Sequence, residues 1–299
     1  MFHVKHLIYS RIYGILYPYH PRKGEKSGKN TAREQDAGNP AHDMTKTVVL
    51  AVANQKGGVG KTTSAVNLAA AVAHRGHTVL LIDSDPQGNA TSGLGISKKN
   101  CRRSLYNVLC GDCTAEDAVQ ETSFKNLSVL PATIDLAGAE FDLVEKEHKQ
   151  RVLADALSAL DGKFNFIFID CPPSLGLLTI NALCASDGIV IPMQCEYFAL
   201  EGLTQLMMTV RRVKQLYNPT LTLTGILITM YDGRLNLSAQ VLDELKKYYS
   251  DALLRTMIPR SVRLSEAPSY GEPILYYDKY SRGSLAYQDA AKEIVARVI

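Results

Sequence analysis

Residues 47–73 read TVVLAVANQKGGVGKTTSAVNLAAAVA. A β-branched apolar run leads through a glycine-rich turn into an alanine-rich helical pattern, which predicts a strand, a loop and a helix in immediate succession. The stretch nearly matches G-x-x-x-x-G-K-[ST], a loop whose amides cradle phosphates while its lysine reaches over them. Gly57, Gly58 and Gly60 permit positive φ and close backbone approach, so successive N–H groups can face phosphate oxygens. The helix start adds its dipole. Lys61 is then the cation for the β- and γ-phosphates, and Thr62 supplies a hydroxyl to Mg²⁺. Gln55, Val59 and Thr63 complete the nucleotide-binding segment.

One position departs from the pattern: Gln55 stands where the first glycine belongs, and a second lysine, Lys56, follows it. Lys56 precedes the turn and cannot easily fold back onto phosphates that Lys61 already holds, so it is expected to project outward. A second subunit facing the first across the nucleotide would receive that ammonium at its own phosphates, as an arginine finger is supplied in trans. A surface lysine without a role is the alternative.

Beyond this unit, near-continuous apolar runs alternate with amphipathic helical patterns: TVLLID from Thr78, LSVLP from Leu127, FNFIFID from Phe164, GIVIPM from Gly188, TLTGILITM from Thr222 and LLRTMIP from Leu253. Strands of that kind are buried on both faces, which predicts an α/β fold: a doubly wound, mostly parallel sheet with helices on both faces, its ligand at the carboxyl ends of the strands. Two such ends carry acids. LLIDSDPQGNAT places Asp83 at a strand tip and Asp85 in the loop beyond; FIFIDCPPSLG places Asp170 where a carboxylate can hold Mg²⁺, commonly through water. Capping of the following helix is the alternative for all three.

Charge is uneven along the chain. Residues 44–200 hold thirteen Lys/Arg against sixteen Asp/Glu, whereas residues 201–299 hold thirteen against ten. Attraction to nucleic acid is therefore expected from the last third. The cysteines show no disulfide-framework spacing, which reads as a reducing, cytoplasmic setting; CGDC at Cys110–Cys113 lacks a second pair and reads as chance spacing rather than a metal or redox motif. No apolar run approaches the ~20 residues that span a membrane.

Residues 20–44 are polar, Gly- and Pro-containing, with almost nothing to bury, so residues 1–43 are expected to be a disordered extension and residues 44–299 the folded domain. The opening MFHVKH can be encoded by a stretch containing the palindrome TGTTTCACGTGAAACA, which suggests regulatory DNA read as codons and a functional start at Met44. A genuine basic, tyrosine-rich tail that touches DNA or membrane is the alternative.

KGGVGKTT resembles the deviant Walker A motif of the ParA/MinD partitioning ATPases. DPQGNATSGLGI, QCEYFALEGL, ITMYDGRLNLS, IPRSVRLSEAPSYGEPI and YSRGSLAYQDAAKEI resemble the chromosomal ParA/Soj branch, over essentially residues 46–299. The resemblance implies an ATPase using ATP and Mg²⁺, with Lys56 reaching across an ATP-sandwich homodimer. It implies that Asp85 orients the attacking water and that Asp83 lies nearer the metal shell. Arg234 and Arg263 match positions that contact DNA, with Arg260 widening the patch. Binding to double-stranded DNA would be sequence-independent, the protein nucleoid-associated, and hydrolysis stimulated by a ParB-type partner; a replication initiator is a further candidate partner. The adenine is expected near the ends of the later strands, against the loops around Thr229-Met230 and Ile258-Pro259. A MinD-like membrane-associated ATPase, a metal-cluster carrier on the same fold and a nucleotide-regulated module without turnover are the competing functions. The mixed charge of the terminal AYQDAAKEIVARVI argues for a domain-packing helix rather than a lipid-binding one.

Overall fold

The computed structural model describes residues 46–299. The expectations of a disordered extension over residues 1–43 and of a start at Met44 fall on residues outside that range. Eight strands form one sheet among the described residues: β1 (Val48–Val52), β2 (Val79–Asp83), β3 (Gln120–Glu121), β4 (Leu127–Leu130), β5 (Phe166–Asp170), β6 (Gly188–Gln194), β7 (Thr222–Tyr231) and β8 (Leu253–Pro259). Their spatial order is β3-β4-β2-β5-β1-β6-β7-β8. The longer helices are α1 (Lys61–His74), α2 (Leu177–Cys184), α3 (Ala199–Leu216), α4 (Asn236–Tyr249) and α5 (Arg282–Val298).

Strand chemistry explains the layering. β2 is VLLID with every residue buried, and its side chains alternate between two cores: Val79 and Leu81 on one sheet face, Leu80 and Ile82 on the other. Phe166 and Phe168 of β5 part from Ile167 and Ile169 in the same way. The first core is covered by α1 and α5, the second by α2, α3 and α4. α1 is buried nearly all round, which its alanines allow by letting sheet and neighbouring helix approach closely.

The seven expected strands are all present and parallel to their neighbours; β3, a two-residue antiparallel edge on β4, was not expected. Register places the site. Asp170 lies opposite both Val52 and Asp83, so β1, β2 and β5 end level. β1 has β5 on one side and β6 on the other, and the glycine loop leaves from that switch point.

Candidate phosphate-binding site

Gly58 and Gly60 take left-handed φ angles of 73° and 81°, whereas Gly57 does not. A Cβ added to Gly57 or Gly58 would meet nothing within 4 Å, so the loop backbone is open on that side. Three side chains clamp it, Asn54 from just before the loop and Gln194 and Thr229 from β6 and β7. Asn54 donates to the Pro192 carbonyl at 2.7 Å and accepts the Lys56 amide at 3.0 Å. Gln194 donates to the Gly58 carbonyl at 2.7 Å, and the Thr229 hydroxyl to the Val59 carbonyl at 2.8 Å. With its carbonyls held from behind, the loop is left free to present amides forward.

Lys61 is buried, and its ammonium donates to the Lys56 carbonyl at 3.1 Å. Burial lowers its pKa; the charges of Asp170, Cys171 and Asp85 oppose the shift. Asp170 and Asp83 are both wholly buried but differently satisfied. One oxygen of Asp83 accepts the amide and hydroxyl of Thr91, each at 2.7 Å, and the other accepts the Asp85 amide at 3.2 Å. Burial still raises Asp83 to about 6, against the pull of those bonds. Both oxygens of Asp170 lack a hydrogen-bond partner, and they are the buried side-chain polar atoms of which this is true among the described residues. Burial, then the neighbouring Asp83, pushes the Asp170 carboxyl well above the usual range, with Thr62 and Lys61 pulling the other way.

A buried carboxylate with no donor at full hydrogen-bond geometry, and only the weak pull of the nearby Thr62 hydroxyl and Lys61, suits a hydrated divalent cation, which would bring its own donors. Asp83 is placed next to it but is engaged in holding the loop that carries Asp85 and Thr91. No group of three or more His, Cys, Asp or Glu that could hold a metal occurs among the described residues, in keeping with a cation bound through few protein ligands. Asp85 is partly exposed; its carboxylate accepts the Gln87 amide at 2.9 Å.

Lys56 is not free of its own chain: its ammonium forms an ion pair with Glu196, in the loop after β6. Met230, in a left-handed conformation at φ 49°, lies beside Gly60, and Pro259 pairs in register with Tyr231, so both adenine candidates stand at adjoining strand ends. The neighbouring loops after β7 and β8 carry the three arginines. Arg234 folds onto Asp232 through two bonds of 2.9 Å, and Arg260 lies close enough to help hold Asp232 down at about 2, although the Arg234 bonds dominate. Arg263, on the short helix Val262–Glu266, meets Glu266 at 3.1 Å and Asp278 at 3.6 Å. Asn54, Thr91, Gln194 and Glu196 are the residues that sequence reasoning missed; Thr229 was expected beside the adenine, and its hydroxyl holds the phosphate loop instead. Gln194 and Glu196 lie in the QCEYFALEGL stretch, whose polar residues at a strand end were the available signal.

A glycine loop at the switch point of a doubly wound sheet, backed by a buried lysine and an unpartnered aspartate, defines a P-loop nucleotide-binding protein. A family model described as an AAA domain matches residues 47–223. The sporulation initiation inhibitor protein Soj of Bacillus subtilis (strain 168) is 55% identical over 248 residues, covering 83% of this chain and 98% of that one. The chromosome partitioning protein ParA of Caulobacter vibrioides is 49% identical over 251 residues, covering 83% and 94%. Among solved structures, cobyrinic acid a,c-diamide synthase from Mycobacterium smegmatis with bound ADP and magnesium superposes with a TM-score of 0.73 at 41% identity, covering 82% of this chain and 93% of that one. The chain belongs to the ParA/Soj family of chromosome-partitioning ATPases.

Proposed function

We propose that residues 44–299 form an ATPase that dimerises around ATP, binds duplex DNA without sequence preference, and lets go when a ParB-type partner accelerates hydrolysis. The observation that carries the nucleotide chemistry is the bare Asp170 carboxylate beside Lys61 and Thr62. Thr62 and Asp170 would hold the cation, and Mg²⁺ bound there would supply charge neutralisation for the phosphates. The loop amides and Lys61 bind and orient the β- and γ-phosphates. Asp85 holds the attacking water, in a loop fixed by Asp83 through Thr91. Lys56 adds its charge to the phosphates of a second copy. Arg234, Arg260 and Arg263 contact DNA phosphates, which carry no base information.

The names of the relatives, Soj and ParA, support the segregation role, and the ADP and magnesium bound by the Mycobacterium smegmatis protein support ATP and Mg²⁺ here. A MinD-like lipid-bound reading is less supported: α5 turns Tyr287, Ala290, Ala291 and Ile294 into the core, and no described helix is long and apolar enough to cross a membrane. The test is duplex DNA binding with ATP, with ADP and without nucleotide, alongside phosphate release. Binding only with ATP, together with turnover, supports the proposal; equal binding in all three states sinks it.

A further inference from the structure

The Lys56–Glu196 ion pair joins the loop before α1 to the loop after β6, 140 positions apart in sequence. The Lys56 backbone is pinned at both ends, its amide on Asn54 and its carbonyl under the Lys61 ammonium. The side chain therefore swings from a fixed root, and its charge has two destinations: Glu196 on its own subunit, or the phosphates of a second copy. The two side chains are 36% and 48% exposed, so the pair opens without unpacking the core. Two residues before Glu196, Gln194 grips the Gly58 carbonyl, which fixes the acid's loop relative to the phosphate loop. Immediately after it, the exposed rings of Tyr197 and Phe198 stand edge to face at 5.0 Å, an apolar surface beside the lysine.

We propose that Glu196 is a positioning residue for Lys56: it holds the ammonium in cis and sets how readily the lysine crosses to a second copy. The inference rests on the trans role of Lys56 given under Proposed function. An exposed ion pair restrains an equilibrium by no more than about fivefold. Symmetric exchange breaks two of them per dimer, so the combined restraint is about 2–25-fold on the dimer dissociation constant. The pair thus works as a threshold, keeping the protein monomeric until protein and ATP are both abundant.

The test is sedimentation equilibrium with a non-hydrolysable ATP analogue, on the wild type, Glu196→Gln, Glu196→Asp, Lys56→Ala and the Lys56→Ala/Glu196→Gln double variant. Glu196→Gln is expected to lower the dimer dissociation constant by about 2–25-fold, with the gain shrinking as salt screens the wild-type pair. Glu196→Asp, which restores the charge, is expected to return the constant toward wild type, and the double variant to behave like Lys56→Ala. Wild-type or weaker dimerisation by Glu196→Gln, with Lys56→Ala monomeric, overturns the positioning role alone. Dimerisation by the double variant overturns it too, because Glu196 would then act without the lysine. Wild-type dimerisation by Lys56→Ala overturns the trans reading and the inference together.

Discussion

A carboxylate with both oxygens buried and under-supplied with donors raises the free energy of the folded chain, and Asp170 is held that way at the end of β5, with the Thr62 hydroxyl offering only partial relief. Asn has the same outline without the charge. Asp170→Asn is therefore expected to stabilise the chelator-treated protein by about 1–3 kcal/mol at neutral pH, measured by urea unfolding, while removing Mg²⁺-dependent phosphate release. The pH dependence follows from the raised carboxyl. The folded state keeps its proton to higher pH than the unfolded chain does, so the wild type loses stability as pH rises past the unfolded carboxyl's ordinary range of about 4. The advantage of Asn is thus expected to be absent in acid and to grow toward neutrality. Asp85 is the opposite kind of residue, partly exposed and paired only within its own turn. Asp85→Ala is expected to leave ATP-driven dimerisation standing and to slow phosphate release by roughly 10²–10⁴-fold; normal turnover would remove it from the reaction.

Segments that adjoin in the fold join the nucleotide loop to the arginine-bearing region. The short helix Asn89–Gly93 follows the Asp85 loop, and Gly95, just beyond it, meets Gly271, just beyond the turn Ala267–Tyr270. Both glycines are left-handed, and a Cβ on Gly271 would lie 2.7 Å from the Gly95 Cα. Gly162 has a similar φ of 75° but open space around it. Gly162→Ala is expected to cost about 1–2 kcal/mol from backbone strain, and Gly271→Ala a further 1–3 kcal/mol or so from forced separation. Urea unfolding of the two variants checks the difference, and equal costs would mean that the contact is loose. This packing shows what was legible in the chain. Seven strands could be read because parallel strands buried on both faces are continuous apolar runs; β3 has two residues and no pattern to detect. Lys61 and Thr62 could be read because strand, loop and helix adjoin in sequence, and Asp170 because it closes the apolar run of β5. Asn54, Gln194 and Glu196 could not, and Thr229 was expected at the adenine rather than on the loop, because their partners arrive through strand pairing between distant segments. The outward course expected for Lys56 missed Glu196 for that reason.

For the whole molecule, the arginines proposed to meet DNA are already partly spoken for. Arg234 is 89% exposed yet held bidentate by Asp232, and Arg263 is shared between Glu266 and Asp278. Asp232, held at about 2, stays ionised throughout the neutral range, so on the proposed reading each arginine would exchange a carboxylate for a phosphate. That exchange would keep a single subunit's grip weak. The proposed dimer, presenting both copies on one face, would double the contacts within one binding event, so avidity would convert ATP-driven dimerisation into a DNA-binding switch. Arg234→Ala and Arg263→Ala are each expected to weaken binding to any duplex and to leave ATP-dependent dimerisation intact, because both arginines lie away from the phosphate loop. Each substitution deletes two charges per dimer, so the slope of log K against log salt should become shallower by about 0.9 per lost phosphate contact, or 1.8 or so at most. Duplexes of unrelated sequence should suffer alike. Salt titrations on two such duplexes, with ATP and with ADP, check all of this: a loss confined to one sequence would show that the arginines read bases, and an unchanged slope would place them outside the contact.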